Sequence, residues 1–132
     1  DIWLAELPEG IGSIQGGIRP VVIISNNLNN SFSTTVTVAC ITSQCKRPDI
    51  PTHVMITSPF LQKDSEVLLE QIMTVNKDQL TTRIGKLSSE DQEKIDDAAM
   101  VQLGIKDKRE KIENIFENMF QVVKNWVYNN CE

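Results

Sequence analysis

Cysteine is scarce in this chain of 132 residues, which holds only Cys40, Cys45 and Cys131. Their odd number and the lack of any CxxC pair argue against a disulfide framework or a zinc site, and they read as the reduced thiols of a cytoplasmic protein. Apolar runs are short. None approaches the ~20 residues of a membrane-spanning helix, and the first residues carry no signal-peptide pattern, so no membrane association is expected. Positive charge is also in deficit, with 13 Lys and Arg against 18 Asp and Glu and a net charge of -5. That balance argues against strong non-specific DNA binding. The deficit is uneven, however: residues 1–87 hold 7 basic and 8 acidic side chains, and residues 88–132 hold 6 and 10. A local basic groove in the first part remains open. His53 is the single histidine, and so the one side chain whose unperturbed proton affinity suits neutral pH.

Glycine and β-branched residues are concentrated near the start. Ile2–Leu7, IWLAEL, predicts a first strand ending at Pro8. Four glycines, Gly10, Gly12, Gly16 and Gly17, then lie between Glu9 and Arg19, a composition that predicts a mobile flap. A phosphate-cradling P-loop does not fit, because the Lys-Ser/Thr ending is missing and a strand follows where a helix belongs. In QGGIRPVVIISN, Pro20 biases Arg19 towards an extended backbone, and VVII has the make-up of a buried strand over Pro20–Ser25. Arg19 is therefore expected at the mouth of a strand, where a guanidinium either binds phosphate or serves as an ordinary solvated or paired charge.

NNLNNSFS reads as an asparagine-rich turn. The next strand, Thr34–Thr42, alternates so that Val36, Val38, Cys40 and Thr42 share one face and Thr35, Thr37, Ala39 and Ile41 the other. Thr42 and Ser43 close it just before Gln44, Cys45, Lys46 and Arg47. Thr52–Ile56 predicts a short strand carrying His53, which is either structural or a proton-handling group. EVLLEQIMTV predicts a central strand bent near Gln71, and Leu80–Leu87 a last strand with a bulge at Gly85. Acidic residues after Ser88 or Ser89 mark a helix start, with Ile95, Ala98, Ala99 and Leu103 as its apolar face and Gly104 as its stop. A second helix from Lys106 to about Tyr128 has Ile112, Phe116, Met119, Val123 and Trp126 at alternating spacings of four and three. Its broad apolar face belongs either against its own domain or against another chain. Short strands followed by helices indicate a small, mainly β barrel with C-terminal helices.

These segments, in order from DIWLAELPEGIGSIQGGIRPVVIISNN through VTVACITSQ, PTHVMI and KDSEVLLEQIMTV to IGKLSSEDQEKIDDAAMVQLGI, resemble the MazF/PemK toxins of bacterial toxin–antitoxin modules. The resemblance covers residues 1–105, a barrel domain with its helix, and leaves residues 106–132 as an additional amphipathic helix. It implies an SH3-like barrel, a homodimer, and a cytoplasmic, metal-independent endoribonuclease without cofactor. Such an enzyme cleaves single-stranded RNA and is blocked by a cognate antitoxin. It assigns catalysis to Arg19, of the GG-x-RP motif, and to Thr42, of the A-x-IT strand end.

The flanking residues Ser13, Gln15, Gly16, Gly17, Ser43, Gln44 and Lys46, with His53 of the THV motif, are the RNA-contacting candidates. Two positions depart from the family pattern: Ile14 stands where many relatives have a glutamate, and Met73 where they have an arginine. Two other functions share this architecture, a gyrase poison of the CcdB type and a barrel that binds without catalysing. The additional helix would extend a dimer interface, or alternatively lie over the RNA groove as an inhibitor.

Overall fold

The computed structural model describes residues 1–10, 16–44, 50–105 and 108–130, with side chains of the last helix described from residue 117. The β-branched and alternating segments form six strands: β1 (Ile2–Leu7), β2 (Gly17–Ile23), β3 (Thr35–Thr42), β4 (His53–Ile56), β5 (Ser65–Asn76) and β6 (Leu80–Gly85). They make one antiparallel sheet in the order β4-β5-β3-β2-β1-β6. All six strands contribute to one core. Ile2, Val22, Ala39, Ile41, Val54, Ile56, Val67 and Leu69 are buried there with Ile84 packed against them, so the sheet wraps around its own interior as a small barrel.

The opposite face of the sheet is also apolar. Val36, Val38 and Cys40 join Ala5, Leu7, Val21 and Val75 in a second buried cluster, while Ala39 and Ile41 enter the first. The alternation read in β3 thus separates two cores.

Helix α2 (Ser89–Leu103) closes the first core through Ile95 and Ala98. The Ser88 hydroxyl caps it by accepting from the Asp91 amide at 3.1 Å, and Gly104, at φ 67°, ends it in the left-handed region. Leu103 departs from the expected face: it is exposed at the last turn, past the edge of the barrel. A second correction concerns the asparagine-rich stretch, which is a short helix, α1 (Asn27–Phe32), rather than a turn. The Asn26 side chain accepts from the Asn29 amide at 2.8 Å, so capping by an asparagine starts a helix that apolar periodicity could not reveal. Helix α3 (Lys108–Asn130) is the second C-terminal helix.

Three register shifts shape the sheet, one of them between Leu4↔Thr82 and Ala5↔Leu80, where Thr81 is the extra residue. In β6 the register with β1 steps from Ile2↔Gly85 to Trp3↔Arg83, so Ile84 is the extra residue beside Gly85. In β5 the register with β3 jumps from Ala39↔Ile72 to Cys40↔Leu68. Leu69, Glu70 and Gln71 are extra on that strand, which bends as expected near Gln71.

Candidate active site

β2 and β3 pair through Ile23↔Val38, Val22↔Ala39 and Val21↔Cys40. Counting two further residues along each strand sets Arg19 across from Thr42, on the face that carries Val21 and Cys40. On the other side of β3, Thr42 pairs with Glu66 of β5, and β5 pairs with β4 through His53↔Leu68. Arg19, Thr42 and Glu66 thus lie on one face at one end of the sheet, and His53, two residues along β4 from Glu66's partner Met55, joins them through its side-chain contact with Glu66. Arg19 lies within β2, opposite Ala5 of β1, and so one turn of the pleat deeper into the sheet than a strand mouth.

Arg19 is exposed, and its Nε donates to the Gly16 carbonyl at 3.0 Å. Nη1 and Nη2 have no partner among the described residues. The backbone here needs glycine at two positions for different reasons. Gly17 has φ 79°, and a Cβ on Gly16 would come within 2.2 Å of the Gly10 amide nitrogen. The positive charge of Arg19 reaches the buried Cys40 thiol. Burial pushes that thiol up to about 11, and the guanidinium offsets a part.

Thr42 is 8% exposed, and its Oγ1 accepts from the Gln44 amide at 3.1 Å. Its hydroxyl hydrogen has no acceptor among the described residues, and the same bond fixes the turn through the exposed Ser43 and Gln44.

His53 is held from both sides. Nδ1 lies 2.7 Å from Glu66 Oε1 and Nε2 lies 2.5 Å from Glu70 Oε1, while Thr52 Oγ1 donates to Glu70 Oε2 at 3.0 Å. Glu66 and Glu70 stand two residues to either side of Leu68, the β5 partner of His53, so both carboxylates reach diagonally to one ring. Both ring nitrogens can donate to a carboxylate at once only in the imidazolium form, which this pair of partners favours. Burial lowers the proton affinity of His53, but Glu70 and Glu66 together outweigh it and raise the pKa above its ordinary value.

Glu66 is 1% exposed, and neither it nor Glu70 was singled out in the sequence. The available signal was a glutamate at the head of a buried strand, which must be paired. Ser13, Gln15 and Lys46 lie outside the described residues, as does Ile14. Among the described residues no group of three or more His, Cys, Asp or Glu side chains could hold a metal ion.

A model of PemK-like, MazF-like toxins of type II toxin–antitoxin systems matches residues 1–103. The chain belongs to this toxin family. It is 42% identical over 109 residues to endoribonuclease EndoA of Bacillus subtilis, a match covering 81% of this chain and 94% of that protein. Among solved structures, a mycobacterial endoribonuclease in complex with its cognate antitoxin is similar, at TM-score 0.67 and 26% identity, over 80% of this chain and 92% of that one. The Mycobacterium tuberculosis toxin MazF-mt6 shares the fold, at TM-score 0.68 and 24% identity, over 80% and 97%.

The match to this family decides between the two barrel toxins weighed from sequence: the chain is a MazF/PemK-type toxin and a homologue of an endoribonuclease. Met73, which stands where family arginines are expected, packs half-buried against the second apolar cluster. The matched region stops at residue 103, and α3 lies beyond it.

Proposed function

We propose that this toxin cleaves single-stranded RNA through attack of the 2′-hydroxyl on the adjacent phosphorus, with Arg19 and Thr42 as the catalytic residues. The new bond joins the 2′-oxygen to phosphorus and the bond to the 5′-oxygen breaks. The proton lost by the 2′-hydroxyl is balanced by one gained on the leaving oxygen. The products carry a 2′,3′-cyclic phosphate and a free 5′-hydroxyl. RNA supplies its own nucleophile, so the protein has to align it and stabilise charge developing on the phosphorane, which needs no metal. Arg19 does so through its two unpaired Nη groups, a fork matched to two phosphate oxygens. Thr42 donates its free hydroxyl hydrogen to a third oxygen or orients the attacking one.

The observation that supports this reading is the β2–β3 register ending at Val21↔Cys40, which, continued by two residues on each strand, would bring Arg19 level with Thr42. Gly16, Gly17, Ser43 and Gln44 border the pair along the chain and, with His53, form the surface for the RNA; Ser13, Gln15 and Lys46 are RNA-contacting candidates from sequence. A homodimer would join two such faces into a continuous groove for an extended strand. The toxin acts in the bacterial cytoplasm, where an antitoxin segment, acidic and ordered only on binding, would fill the groove. A solved relative in complex with its cognate antitoxin supports that partner.

The test is cleavage of a long mixed-sequence RNA in EDTA by the parent, Arg19→Ala and Thr42→Ala, with analysis of fragment ends. Removing either donor slows cutting by about 10²-fold or more. Cutting indifferent to both substitutions, or ends without a cyclic phosphate, overturns the assignment.

A further inference from the structure

We infer that α3 is a self-association element whose apolar face packs on α3 of a second copy of this chain. Met119, Phe120, Val122, Val123, Trp126 and Val127 are between 45% and 68% exposed, so the barrel of the same chain does not cover them. That removes one of the two destinations open from the sequence. At 3.6 residues per turn these side chains occupy one arc of about 160°. Asn118, Gln121, Asn125 and Asn129 take the opposite side, where Gln121 Nε2 donates to Asn125 Oδ1 at 3.2 Å.

Two observations point to a second α3 rather than to another partner. The first is the period. Ile112, Phe116, Met119, Val123 and Trp126 follow the alternating four and three of a heptad seam, the pattern by which one helix interlocks with another of its kind. The second is charge: Lys124 is the one charged residue from 118 to 130, so two copies of this face meet without repulsion and need no oppositely charged partner. The helix lies beyond the family match at residues 1–103, so this contact is additional to any pairing of the barrels.

The test uses the full chain in three forms: the parent, Val123→Lys with Trp126→Lys on the apolar face, and Gln121→Lys with Asn125→Lys on the polar face. Sedimentation across a wide concentration range reads the self-association constant, and circular dichroism with RNA cleavage checks the barrel. Disulfide trapping of Val123→Cys against Gln121→Cys, each in a Cys45→Ser, Cys131→Ser chain, reads proximity directly. The apolar-face variant is expected to weaken self-association by about 100-fold or more, the polar-face variant to leave it unchanged, and Val123→Cys alone to yield cross-linked pairs. Equal association of all three forms, or no cross-link through residue 123, overturns the inference. So does an apolar-face variant that loses only antitoxin binding.

Discussion

The buried Glu66 carboxylate offers the sharpest single-atom test of the site, through Glu66→Gln. The amide keeps the volume and an acceptor oxygen, but the 2.7 Å contact to His53 Nδ1 changes from a charge-assisted bond to a neutral one. A hydrogen bond to a charged group contributes about 1.5–3 kcal/mol, a neutral one about 1 kcal/mol. The His53 side chain is 9% exposed and Glu66 1%, so solvent screens little of the difference, and a loss of about 0.5–2 kcal/mol is expected at pH 5.5–6. The effect depends on pH with a definite sign. Burial opposes the proton on His53, Glu70 and Glu66 favour it more strongly, and the net shift is upward. The folded protein therefore holds this proton more tightly than the unfolded chain. Its contribution is complete below the unfolded value near 6.5 and is lost as pH rises through the raised folded value. Urea unfolding of parent and variant between pH 5.5 and 9 should show the gap narrowing across that window, and the His53 NMR titration should move down in the variant. Glu70 remains, so some elevation persists. A gap that is constant with pH, or a titration unmoved by the substitution, would refute the assignment of the shift to this pair.

The ends of α2 give two independent stability predictions. Ser88→Ala removes the cap to the Asp91 amide and should cost about 1 kcal/mol in urea unfolding. Gly104→Ala meets no atom within 4 Å but sits at φ 67°, so its cost, about 1 kcal/mol, is purely conformational; the same unfolding series measures it.

Much of the barrel was legible because each strand is a short β-branched run with punctuation. VVII in β2, the alternation of Val36, Val38 and Cys40 against Ala39 and Ile41 in β3, and Ser88 with Gly104 around α2 are local signals with local causes. The asparagine-rich helix α1 was not legible: it buries none of its residues and so writes no apolar period into the sequence. Leu103 was misplaced because a helical face continues in sequence beyond the point where the barrel beneath it ends. Arg19 and Thr42 could be singled out as strand-end residues, but their opposition depends on a register shared between strands that nothing in either segment specifies. Glu66 and Glu70 were hidden for a related reason. Their common partner is on another strand, and it comes to lie between them only through the β4–β5 register that sets His53 opposite Leu68.

The row across the sheet also raises an electrostatic question for a chain of net charge -5 that binds a polyanion. Among the described residues, the row and the adjoining Glu70 hold four groups that carry formal charge: Arg19 and protonated His53 positive, Glu66 and Glu70 negative. With His53 protonated they sum to zero; without its proton they sum to one negative charge beside the expected path of the phosphates. While His53 holds the proton that Glu70 and Glu66 favour, its charge offsets part of the carboxylates' repulsion of RNA. Binding of a 2′-O-methyl RNA, which cannot be cleaved, should weaken as pH rises through the raised His53 value. The loss should be strongest at low ionic strength, where an unpaired charge acts over a Debye length of ~30 Å at 0.01 M. His53→Gln should abolish that pH step. A step that survives in His53→Gln, or an affinity flat with pH in the parent, would place the row away from the phosphate path.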